Sequence, residues 1–236
     1  DPENIESRLG SEDDAEGLIS AEDLEKLLEE REAAQFKAAE QMLRKAIEES
    51  EDQEIQKMVE DGGLQIDQSP EGLRIQLLDQ EKTALFPLGS ADMFEQTRKL
   101  LAKVSEIIAK LPNKIKISGH TDSRPFPPGA TYTNWELSAD RALSSRRALI
   151  SNGIPQERVA QVVGMADTDP IEPNDPTAPS NRRISIVLLR TDFSDQAASA
   201  AAAGRQQEPA VQPTETTLPT VLPDNGSALP PVRSGG

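Results

Sequence analysis

Residues 117 to 124, ISGHTDSR, hold the only histidine of the 236-residue chain, with a serine two positions before it and an aspartate two positions after. Ser118, His120 and Asp122 are the residue types of a nucleophile, base and orienting acid, a relay that requires hydrogen bonds between neighbours. At the end of a strand, side chains at i, i+2 and i+4 stand about 6 to 7 Å apart at each step, too far for such a relay. The chain has no G-x-S-x-G turn and no second histidine to build one elsewhere. Absence of cysteine removes thiol nucleophiles, disulfides and thiolate metal sites, and a lone histidine makes no imidazole cluster. The expectation is therefore no enzyme, no metal and no other cofactor.

Asp122 has a second set of neighbours. The loop SRPFPPGATYT, stiffened by proline, leads into a helical pattern on which Asn134, Ser138 and Arg141 share one face at i, i+4 and i+7. A carboxylate at a strand's end then faces a guanidinium one or two turns into the following helix. Two readings are open from the residues alone: an internal salt bridge, or a clasp for a ligand that carries both an ammonium and a carboxylate. In the second, Asp122 accepts from the ammonium and Arg141 forks onto the carboxylate. Ion pairs left in water contribute only ~0 to 1 kcal/mol, whereas charged hydrogen bonds in a sheltered site contribute ~1.5 to 3 each, so binding requires a pocket. His120 is read as scaffolding that ends the strand and bonds to backbone, and Trp135 as either packing or a pocket wall.

These residues need elements to hold them. Residues 20–60 lack Gly and Pro and are rich in Glu, Lys, Ala, Leu and Gln, which predicts one long amphipathic helix. Ser20 with Asp23 caps its start and Gly62-Gly63 stops it. From residue 64 short strands alternate with helices: strands over 73–79, 114–119, 158–166 and 183–190, helices over 91–111 and 134–153. Thr133 and Glu136 form a capping box for the second of these helices, with Leu137, Ala142 and Leu149 as core. The expected fold is an α/β (α+β) sandwich, with a mixed sheet of about four strands and helices packed on one face, preceded by the long helix.

Charge divides the chain further. Its net charge of −16 comes mainly from residues 1–62, with 21 acidic and 7 basic groups; residues 63–192 carry 16 of each and residues 193–236 carry 4 and 2. With no basic block, nucleic acid is not an expected partner. We expect three regions: an acidic N-terminal region with the long helix at 1–62, a folded domain at 63–192, and a disordered Pro/Ala-rich tail at 193–236. No run of about 18 apolar residues could span a bilayer. Because the chain begins at Asp1, a preceding segment is expected to be absent from it.

GHTD at 119–122, NWELSADRA at 134–142 and NRRISI at 181–186 resemble, in order and spacing, the OmpA-like peptidoglycan-binding domain. LFPLGSADM, LPNKIKISGHTDSRPF and the Trp135 within NWELS are similar to the branch of that family formed by MotB-type flagellar stator subunits. The resemblance covers roughly residues 64–190, and by position it implies that residues 1–62 are a plug and linker. It implies as ligand the diaminopimelate-containing stem peptide of peptidoglycan, with Asp122 and Arg141 as the central contacts and Thr121 and Asn134 as neighbouring polar ones. It also implies Arg182 and Arg183, one supporting the pocket and the other meeting solvent or glycan. Further implications are a homodimer, assembly with MotA, and a periplasmic location as part of a single-pass inner-membrane protein, reached through an N-terminal helix this sequence does not contain. An outer-membrane-to-peptidoglycan tether of the OmpA or Pal type is the alternative.

Overall fold

The computed structural model describes residues 20–191. The expected plug before residue 20 and the expected tail beyond 192 lie outside the described residues. The elements run α1 (Ala21–Glu48), α2 (Gln53–Glu60), β1 (Leu64–Ser69), β2 (Gly72–Leu78), α3 (Glu95–Ile108), β3 (Ile115–His120), α4 (Asn134–Ser151), β4 (Val159–Gly164) and β5 (Arg183–Leu189). The strands form one sheet in the order β1-β2-β5-β3-β4. All neighbours are antiparallel except β3 and β4, which are parallel and joined through α4. The sheet is thus mixed, with one strand more than the four predicted. The addition is β1, whose sequence LQIDQS buries fully only Ile66 and so carries little alternation to read.

Helices cover one face. Ile75, Ile186 and Ile117 are cross-strand partners on the three central strands. They share one core with Leu100, Leu101 and Val104 of α3, Ala142 and Leu149 of α4, and Phe36, Leu43 and Ile47 of α1. Each of these side chains larger than alanine contributes roughly 1.5 to 3 kcal/mol on burial. The alternate positions, including Arg74, Gln76, Lys116, Ser118 and Ser185, lie on the bare face, where Arg74 pairs with Asp67 and Lys116 with Glu71, both at 2.8 Å.

The predicted long helix is broken once. After Glu48 the chain turns, and Asp52 restarts it as α2 by accepting from the Glu54 and Ile55 amides. Ile47 before the turn and Ile55 after it both lie in the core. At the other end of the fold, buried Arg158 donates to the Ile108 and Asn113 carbonyls at 2.7 to 2.9 Å, satisfying the C-terminus of α3, which has no basic residue in its own last turn. Among the described residues no helix is long and apolar enough to cross a membrane.

Candidate functional site

Gly119 determines how closely α4 lies on the end of β3. A Cβ at that position would stand 2.1 Å from the Ser138 carbonyl oxygen, so only glycine lets the helix backbone rest there. Ser138 adds a tie, its hydroxyl donating to the Trp135 carbonyl and accepting from the Ala166 amide at 3.0 Å. The capping box of Thr133 and Glu136 is formed as predicted and fixes where α4 begins. The first turns of α4 therefore stand beside the loop that follows His120.

In that corner four sheltered charged groups gather, with the largely exposed Arg124 at their edge, its Nε 3.7 Å from Asp122. Asp122, 6% exposed, accepts from Arg182 Nη1 at 2.7 Å and from the Arg124 amide at 3.2 Å. Arg182 also donates through Nε to Asp79 at 2.7 Å, and Asp79 accepts from the Leu85 amide at 2.6 Å. Arg141, 3% exposed, lies over the Phe86 ring at 4.8 Å and donates to the Ser90 and Pro87 carbonyls at 2.9 and 3.3 Å. Its Nη1 makes no hydrogen bond to the described residues. Burial raises the Asp79 carboxyl against the pull of Arg182 and the Leu85 amide. For Arg182 burial acts the other way, but Asp79 and Asp122 together raise its hold on the proton. Burial lowers Arg141, with Asp79 the leading charge that opposes the shift and Asp122 a lesser one.

Asp122 and Arg141 thus belong to one charged cluster without touching; Arg182 lies between Asp122 and Asp79. Asn134 serves the loop: its amide nitrogen donates to the Asp122 and Arg124 carbonyls at 3.2 Å. The Thr121 hydroxyl is buried beside them and has no partner among the described residues. Arg183 is not brought to this corner. It points to the bare face of the sheet, where it meets Asp169 at 2.7 Å and Gln76 at 3.1 Å. Trp135 is 56% exposed on the first turn of α4.

His120, 4% exposed, lies in the same row as Arg183. Burial first, then the Arg183 charge, lowers its pKa to about 4, so the imidazole is neutral at pH 7. Its Nδ1 has no partner among the described residues, where bonding to backbone was expected. It makes no hydrogen bond to Ser118 or Asp122 there either, so those three do not form a relay. Two surface hollows lie away from the cluster. One of about 550 Å³ opens between α1 and the Pro112-Asn113 turn, the other of about 260 Å³ on the bare sheet face around Ser118, His120 and Arg183. Neither is lined by Asp122 or Arg141; Asp122 is ion-paired to Arg182, and Arg141 is held by the Ser90 and Pro87 carbonyls.

Two contributors escaped the sequence reading. Asp79 reads as the polar end of the strand LRIQLLD, and its one distinguishing sign is a carboxylate closing an apolar run. The Pro87 and Ser90 carbonyls that hold Arg141 belong to LFPLGSADM, a stretch used above only for its resemblance.

Residues 85–184 match the OmpA family. The chain is 40% identical over 170 residues to Motility protein B of Escherichia coli, an alignment covering 71% of this chain and 55% of that protein. It is 30% identical over 116 residues to Motility protein B of Helicobacter pylori, covering 47% of this chain and 44% of that one. Among solved structures, a MotB-like protein from Desulfovibrio vulgaris shares the fold with a TM-score of 0.55 and 24% identity, over 70% of this chain and 96% of that one. The chain spans about half the length of the curated relatives it matches.

Proposed function

We propose that the chain, whose residues 85–184 match the OmpA family, is a non-covalent peptidoglycan-binding module that anchors a flagellar motor stator to the cell wall. The ligand in this reading is the diaminopimelate end of a stem peptide, which carries an ammonium and a carboxylate on one carbon. Asp122 accepts from the ammonium, and Arg141 presents its unused Nη1 to the carboxylate. Thr121 and Asn134 border the ligand. Arg182 supports Asp122 from behind, and Arg183, on the other sheet face, is left to meet glycan or solvent. The observation that carries the reading is the buried ion cluster itself: two carboxylates and two guanidiniums, held in one corner by β2, β3, α4 and the turn before β5.

The remaining parts follow from the motility relatives. The domain of residues 63–192 lies in the periplasm, residues 1–62 form plug and linker, and a transmembrane helix preceding this sequence joins the chain to a MotA-type channel partner. A homodimer presents two sites, which raises avidity ~10² to 10⁴-fold if both engage one sacculus. Binding without turnover is what an anchor requires.

Pelleting with purified sacculi tests the proposal. The native chain is expected in the pellet, and Asp122→Asn and Arg141→Lys in the supernatant, each still unfolding in one cooperative transition above the temperature of the assay. Pelleting of both folded variants like the native chain would overturn it.

A further inference from the structure

The corner around Asp122 contains one more charged residue than a clasp for a zwitterion requires on each side. Asp122 and Arg141 alone would match an ammonium and a carboxylate. Arg182 adds a second guanidinium, whose Nη1 stands 2.7 Å from Asp122, in the place an incoming ammonium would take. Unbalanced, that charge would both repel the ammonium and compete with it for the same carboxylate. Asp79 is what balances it. Its carboxylate, 3% exposed, holds Arg182 Nε at 2.7 Å and is fixed in turn by the Leu85 amide, so Arg182 stays paired when its bond to Asp122 is given up. With Asp79 the four sheltered groups sum to zero and without it to +1; Arg124, whose Nε lies 3.7 Å from Asp122, is 58% exposed and its charge is screened by water. The Arg182 side chain is only 16% exposed, so water cannot make up the difference.

We propose that Asp79 is the specificity-determining residue of this site: by balancing Arg182 it makes the corner select a zwitterionic amino-acid end over a plain carboxylate. The inference rests on the cell-wall reading of the site, and Asp79 acts through Arg182 rather than by touching ligand. The same balance extends to Arg141, on which Asp79 is the leading stabilising charge although the two make no hydrogen bond.

The test uses two synthetic stem peptides ending in diaminopimelate, one with its side-chain amine free and one with that amine acetylated. The native chain is expected to bind the free-amine peptide at least about tenfold more tightly. In Asp79→Asn the ratio falls to about one, because the site keeps its hold on the carboxylate and loses the ammonium. In the double variant Asp79→Asn with Arg182→Gln, neutrality is restored and the preference returns. A purely structural role predicts equal weakening toward both peptides and no recovery in the double variant, and either result would overturn the proposal. Should Asp79→Asn fail to fold, the charge-neutral double variant decides: loss of its preference overturns the proposal. If the native chain binds neither peptide, the cell-wall reading falls first and this inference with it.

Discussion

The His120 imidazole takes its proton near pH 6.5 in an unfolded chain, but only near 4 in the fold, where burial and the Arg183 charge oppose the cation. Between those values the unfolded state binds more protons than the folded one. Stability from this residue is therefore complete above about pH 6.5 and is lost as pH falls toward 4, by roughly 3 kcal/mol at most. Urea unfolding across that window should show a steeper decline for the native chain than for His120→Gln; parallel declines would contradict it. At this scale the sequence was informative where a motif named the residue and silent where only proximity did. Asp122 and Arg141 stand in GHTD and NWELSADRA, so both could be picked out. Asp79 lies 43 positions before Asp122 and joins it only through Arg182, 60 positions further on, a connection that needs the sheet order to be known.

The contact between β3 and α4 sets the geometry on which Asp122 and Arg141 depend. Because a Cβ on residue 119 would stand 2.1 Å from the Ser138 oxygen, Gly119→Ala must push the helix off the strand. We expect a loss of about 3 kcal/mol in unfolding free energy. A loss below about 0.5 kcal/mol, the range of an ordinary surface change, would show that α4 can slide without cost. Elements with strong periodicity were legible: β5 alternates Ile184, Ile186 and Leu188, and the α4 capping box is written in Thr133 and Glu136. The break in the first helix was also written, in Ser50 and Asp52, but Glu-rich flanks of high helix propensity masked it. Strand β1 was missed because its pairing with β2, rather than its own apolar content, makes it a strand.

Across the whole molecule, charge is unevenly divided. The region of residues 63–192 is balanced at 16 acidic and 16 basic groups, so the ionic corner acts in a domain without excess charge, while acid is concentrated in residues 1–62. In the proposed anchor, sheet and helices can hold the chain against load only if the ionic corner grips the wall, and everything else proposed depends on that grip. Its most direct measurement is competition: the chain is bound to purified sacculi and free diaminopimelate is added in excess. Release of the chain into the supernatant, with no release by an equal concentration of the diamine lacking carboxylates, is the predicted result. A chain that stays with the sacculi at saturating diaminopimelate would contradict the account.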